Sequence, residues 1–260
     1  MATYTTEIAS STLASDNPVH QRLYYAYVAA QDYVKGDLLE IGCGEGRGIE
    51  TLSPRSNTYT ALDKINPVIQ DLARKHENVK FINAFVPPMN MLPDNKFDVI
   101  VSFQVIEHIK NDKFFLEEIY RVLKPGGKAL ITTPNIRKTL TRNPWHEREY
   151  TNQQLLGLAQ KIFDKAILKG VHGNKKVMDY YDQNKRSVER ITRFDVFNLQ
   201  YRLPAPLLRI PYDILNRINR KSLMKQDNKL VNDIAVSDYF LADDTDTCLD
   251  FFGIFEKKLS

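Results

Sequence analysis

Four glycines at alternate positions, Gly42, Gly44, Gly46 and Gly48, follow the short apolar run DLLEI (Asp37–Ile41). Such a turn lets the backbone approach a ligand closely, and a helix starting there offers free N–H groups. Two acids flank it. Glu40 stands two residues before Gly42, and Asp63 ends the next apolar run, NTYTALD (Asn57–Asp63). A carboxylate at the end of a second strand can accept hydrogen bonds from both hydroxyls of a ribose. Further on, the segment NPWHEREYT (Asn143–Thr151) carries His146 and Tyr150. An imidazole is a candidate general base near neutral pH. Tyr150 is a candidate acid or hydrogen-bond donor. The alternative for His146 is a local hydrogen bond within its loop.

The elements that must position these groups alternate in type. Asp16 or Asn17 can cap a helix that has Pro18 in its first turn, and Val19, Leu23, Tyr27, Ala30 and Val34 recur at helical spacing. Gly36 ends that helix. Strands are then expected at Asp37–Ile41, Asn57–Asp63, Val79–Asn83, Phe97–Phe103 and Lys128–Pro134. Helices are expected at Asn66–His76 and Asn111–Leu123, with a sharp turn at Lys124–Gly127. Thr151 and Gln154 form a capping box for a helix over Asn152–Ile162. A sixth strand fits Phe163–Gly170 and a seventh Cys248–Lys257. The rhythm predicts an α/β fold with a doubly wound, largely parallel sheet. The stretch between the last two strands, about 171–246, reads as a helical insertion. We expect a single domain over 1–260, with an N-terminal helical segment at 1–36.

The ligand of the glycine turn is the discriminating question. A dinucleotide site places a third glycine five residues after the first, and that position is Arg47. Glu40 beside the turn is unfavourable for a pyrophosphate. It suits a ligand carrying positive charge, such as S-adenosylmethionine (SAM) with its sulfonium and ammonium groups.

Four motifs in register, EIGCGEG, the LD ending the second strand, FDVIVSFQVIEHI and RVLKPGGKALITTPN, resemble the type 11-like small-molecule methyltransferases of the class I SAM-dependent kind, over about Leu38–Asn135. The resemblance implies a Rossmann-like, seven-stranded sheet with an antiparallel last strand and no metal requirement. It implies that Glu40, Gly42 and Gly44, with Cys43 between the two glycines, line the methionine end of the cofactor. By the same resemblance Asp63 binds ribose, Asn83 and Ala84 lie near adenine, and Phe103 and Gln104 lie near the sulfonium. Loops after the fifth strand would face the acceptor, which is where His146 stands. His108 reads as bonding a neighbouring backbone group. Tyr24, Tyr27 and Trp145 could close over the acceptor or simply pack.

Composition narrows the partners. The net charge of +4 is too mild to imply nucleic acid, but 171–230 holds 13 basic and 6 acidic residues, a local +7. In Pro206–Leu223, apolar Leu207, Ile210, Ile214, Leu215 and Ile218 stand among Arg209, Arg217, Arg220 and Lys221. A lid, a packed face and a weak membrane-surface contact are the readings of that helix. Cys43 and Cys248 have no metal-ligand spacing and read as reduced thiols. No signal peptide is visible, so a cytoplasmic enzyme is expected. The expected reaction is methyl transfer from SAM, leaving S-adenosylhomocysteine, to a small-molecule or biosynthetic-intermediate acceptor at oxygen. The alternatives are a lipid-linked or glycan precursor met at a membrane surface, and a SAM-binding protein without turnover.

Overall fold

The structure is a computed structural model and describes residues 13–259. The first twelve residues of the expected N-terminal segment lie outside the described residues. Helix α1 (Asn17–Ala30) has Pro18 in its first turn, where a missing N–H costs nothing. Asp16 precedes it but makes no side-chain cap. Its fully buried carboxylate instead faces Arg217 at 3.2 Å and Arg220 at 3.1 Å. Gly36, at φ 66°, turns the chain into the sheet, and a side chain there would collide with the Asp98 carboxylate.

The core alternates as the sequence predicts: β1 (Asp37–Ile41), α2 (Ile49–Leu52), β2 (Thr58–Asp63), α3 (Asn66–Lys75), β3 (Val79–Asn83), β4 (Phe97–Phe103), α4 (Asp112–Val122) and β5 (Leu123–Pro134). Then come α5 (Asn152–Ala159) and β6 (Lys165–Gly173), the helices α6 (Lys175–Thr192), α7 (Leu199–Arg202), α8 (Ala205–Gln226) and α9 (Asn228–Asp233), and finally β7 (Tyr239–Ala242) and β8 (Asp250–Glu256). The sheet order is β3-β2-β1-β4-β5-β8-β6-β7. Strands β1 to β5 pair in parallel, while β8 runs antiparallel to both β5 and β6.

The expected antiparallel last strand is therefore present, but the described sheet has eight strands, not seven. The extra one, β7, pairs antiparallel with β6 at the edge. It lies inside the insertion, which otherwise consists of α6 to α9. Only four residues long, β7 gives no clear alternation to read. The Lys124–Gly127 turn sits within β5 as a bulge: Phe97 pairs with Leu123 and Val99 already with Lys128. Gly126 bends that bulge at φ 77°, and Lys124 Nζ ties it to Asp98 (2.7 Å) and Asp37 (3.0 Å).

Side chains alternate across the buried strands and feed two cores. Leu38, Val99, Val101 and Leu130 face α1, α2 and α3, and the same cluster takes Val177, Tyr180, Leu223 and Val231 from the insertion. Leu39, Ile100, Ala129 and Ile131 face α4 and α5. Each fully buried Leu or Ile contributes about 1.5–3 kcal/mol. The sheet is thereby packed on both faces, and the candidate site lies at the C-terminal ends of its parallel strands.

Candidate active site

A cleft of about 330 Å³ opens at the C-terminal ends of β1, β2 and β4. Of the residues the sequence points to, Gly42, Cys43, Gly44, Asp63, Ala84, Phe103 and Gln104 line it. Asp63 ties the site together: its Oδ2 accepts from Gly44 N and its Oδ1 from Ile65 N, both at 2.9 Å. A carboxylate offers about four acceptor positions, so capacity remains on each oxygen. Gly44 has φ 48°, and a Cβ built there would meet nothing within 4 Å. Open space thus lies directly before the turn backbone. Gln104, at φ 57°, is fixed by its N–H to Thr132 O at 2.9 Å. Burial pushes the Cys43 thiol well up, which keeps it an inert part of the wall.

Two expected residues stand elsewhere. Glu40 is buried and does not line the cleft. Its carboxylate accepts from Tyr27 Oη at 2.7 Å and Tyr59 Oη at 2.5 Å. Burial raises the Glu40 carboxyl's pKa and the two hydroxyls pull it back down. Glu40 thereby positions Tyr27, which does line the cleft. Asn83 is outside the lining too; its Nδ2 donates to Asp63 O at 3.0 Å and braces the end of β2. Gly46 and Gly48 are packing glycines, since a Cβ would strike Leu72 and Ile49 in one case and the Tyr27 ring in the other.

A second cleft of about 260 Å³ adjoins the first and shares Leu23, Gln104 and His108 with it. Its core-side wall includes Glu107, Asn143, His146 and Glu149, and its outer wall includes Tyr180, Tyr212, Asn219 and Arg220 from α6 and α8. His146 Nδ1 lies 2.7 Å from Glu149 Oε1, and its Nε2 lies 2.8 Å from Asn143 Nδ2. Asn143 Oδ1 accepts from Trp145 N at 3.0 Å, so the amide NH₂ is the group facing His146. Nε2 must then be the unprotonated nitrogen, with Nδ1–H donated to Glu149.

His108 packs edge-on against His146 with ring centroids 4.9 Å apart, and its Nδ1 lies 2.8 Å from Trp145 O. Glu107 is fully buried, accepts from Thr133 Oγ1 at 2.9 Å, and is held up to about 7 because burial outweighs the nearby His146. Among the described residues, Glu107, His108 and His146 bring one ligand atom each within 4.8 Å of one another.

Tyr150 belongs to neither cleft. It is buried in the α4–α5 core, and its hydroxyl donates to Asp112 Oδ2 at 2.8 Å. Burial raises its pKa well above the usual phenol range. Its expected catalytic role is corrected to a structural one.

Comparison with known proteins bears on the cofactor. Residues 39–131 match a family model described as a methyltransferase domain. A probable SAM-dependent methyltransferase of Mycolicibacterium smegmatis is 35% identical over 130 residues, covering 48% of this chain and 50% of that protein. Residues 39–131 thus resemble the domain of methyltransferases whose curated relatives are named as S-adenosylmethionine-dependent. A fatty-acid O-methyltransferase of the same organism is 28% identical, over 61% of this chain and 58% of its own length. The chain thus spans about half the length of these curated relatives. A solved structure titled a SAM-dependent methyltransferase, possible histamine N-methyltransferase, from Thermotoga maritima shares the fold, with a TM-score of 0.56, 16% identity and 92% of each chain covered.

The family's methyl donor is SAM, in line with the sequence expectation. Sequence reasoning missed several lining residues of the two clefts. Arg47 and Val105 border the first cleft, and Glu149 and Asn143 hold His146 beside the second. Glu149 carried a signal: it stands three residues after His146 in the same loop. Val105 carried none, because it enters through contact with the β1 turn, where a Cβ on Gly42 would collide with it.

Proposed function

We propose that the protein transfers a methyl group from SAM to a hydroxyl of a small-molecule acceptor or biosynthetic intermediate held in the second cleft. The observation that carries this is the His146–Glu149 pair beside the junction of the two clefts. When bound, SAM supplies a methyl group already activated on a sulfonium. The first cleft fits it: Asp63 retains acceptor capacity for ribose hydroxyls, and Gly44 leaves room at the turn backbone. Ala84 and Phe85 would flank the base, and Phe103 and Gln104 would stand at the junction. The chain's own work is positioning, exclusion of water and removal of one proton. His146 Nε2 takes the acceptor's hydroxyl proton in place of its bond to Asn143, and Glu149 stabilises the imidazolium that results.

A SAM-binding protein without turnover would be marked by a closed acceptor side; here the second cleft is open to about 260 Å³. We read the insertion as part of the same domain, because its side chains share a core with α1. A lipid-linked acceptor is a second reading, favoured by the exposed apolar outer face of α8; the fatty-acid O-methyltransferase relative points the same way.

Turnover with methyl-labelled SAM and a panel of phenols, glycosides, fatty acids and amines tests the proposal. O-methyl products formed by the protein, and lost in His146→Ala, are expected. Products methylated only at nitrogen, or undiminished in His146→Ala, overturn the hydroxyl assignment.

A further inference from the structure

The described residues of the insertion expose apolar surface in a concentrated way. Between Phe194 and Ile218, ten large apolar side chains are 45–74% exposed. Scattered exposed leucines are normal on soluble proteins, but contiguous patches of this kind mark interaction surfaces.

Helix α8 shows how the patch is built. Leu207, Ile210, Ile214 and Ile218 follow each other at spacings of three and four and form one outer stripe. Tyr212, Asn216, Asn219 and Leu223 follow the same spacings on the opposite side. The first three line the acceptor cleft, and Leu223 enters the core. The outer stripe continues into exposed Lys221 and Lys225. Phe194, Val196 and Phe197, between α6 and α7, and Tyr201 on α7 extend the apolar surface, with exposed Arg190, Arg193 and Arg202 among them.

The inner side of α8 is anchored. Arg217 and Arg220 face buried Asp16, Trp145 Nε1 donates to Asp213 Oδ1 at 3.1 Å, and Arg209 lies 4.4 Å above the Trp145 ring. The outer stripe is therefore presented by a fixed helix.

We propose that this outer face beds on the surface of an anionic lipid bilayer, and that the acceptor is an amphiphile drawn from that bilayer with its polar head in the second cleft. The substrate half of this inference rests on the function proposed above. Charge selects the occupant. Lys221 and Lys225 continue the apolar stripe, and Arg190, Arg193 and Arg202 stand in the chain among the exposed apolar residues before α8, five exposed cations matching a surface of anionic headgroups. An isologous contact with a second copy would set these cations against themselves. Among the described residues no helix is long and apolar enough to cross a membrane, so the face lies on the bilayer.

The test is co-sedimentation of the full chain with vesicles of phosphatidylcholine alone or with about a third phosphatidylglycerol, at low and high salt. Binding to the anionic vesicles, weakened by salt, is expected. Ile210→Glu and Ile214→Glu alter exposed positions and should each weaken it about tenfold or more. Lys221→Glu with Lys225→Glu should weaken binding to anionic vesicles specifically. Absence of binding at low salt overturns the proposal. So does sedimentation equilibrium that shows a dimer broken by Ile210→Glu in a protein that ignores vesicles, which assigns the face to a second copy. SAM affinity, measured by calorimetry on the same variants, should not change. Its absence in the wild type would instead refute the methyltransferase function and leave the vesicle result standing.

Discussion

His146 Nδ1 lies 2.7 Å from Glu149 Oε1, and both side chains line the cleft beyond the cofactor side of the domain. The pair fixes one neutral tautomer of the imidazole, with its lone pair on Nε2. His146→Ala should lower kcat by about 100-fold or more, the usual scale of a lost general base. SAM affinity should stay within twofold. A chelator should leave wild-type turnover unchanged. Turnover abolished by chelation and restored by zinc would transfer the role to Glu107, His108 and His146 as metal ligands.

Asp63 accepts from Gly44 N and Ile65 N and faces the first cleft. Asp63→Ala removes the ribose acceptor and loosens the turn. Calorimetry should show SAM affinity weakened by about 1–3 kcal/mol. Unchanged affinity would remove Asp63 from the cofactor site.

Gly44 and Gly48 separate ligand space from packing space. In Gly48→Ala the new methyl meets the Tyr27 ring. Thermal unfolding should show a loss of about 1–3 kcal/mol from overpacking. Gly44→Ala meets open space and pays only for its positive φ, about 1 kcal/mol, so its larger effect should be on SAM binding. Equal stability losses with unaltered binding in both would contradict the division.

Most of the fold was legible because strands β1, β3 and β4 are short, mostly apolar runs whose bounds the sequence marks residue for residue. The insertion's β7 was not, since four residues give no period to read. That Gly42, Gly44 and Asp63 meet at one cleft was legible, because local backbone geometry sets the turn. Glu40 shows the limit. It suggested a cationic ligand from a place in the cleft wall that the structure does not give it. Its partners Tyr27 and Tyr59 lie 13 and 19 residues away along the chain, and only folding brings them together. Tyr150 failed likewise, because Asp112 comes from a distant helix to take its hydroxyl.

Glu107 makes stability depend on pH. Its carboxyl, held up to about 7 by burial, binds its proton more tightly folded than unfolded. Its contribution to stability therefore falls as pH rises from the ordinary carboxylate range through about 7. Glu107→Gln keeps an acceptor for Thr133 and cannot ionise. Its melting temperature should gain on the wild type between pH 5 and pH 8, about the window of that titration. A constant difference across the window would contradict the burial account.

Trp145 joins the His146 loop to α8 through Asp213 and Arg209. Trp145→Ala should raise the acceptor's KM severalfold and speed proteolysis between α7 and α8, with SAM affinity retained. Equal proteolysis rates would show that the insertion is held by other contacts.

The most direct test of the central claim is calorimetric titration of the intact protein with S-adenosylhomocysteine and, separately, NAD. One molecule of S-adenosylhomocysteine should bind per chain, with NAD giving no saturable heat. Saturable NAD binding without S-adenosylhomocysteine binding would contradict the assignment of the Gly42–Gly44 turn and Asp63 to a methyl-donor site.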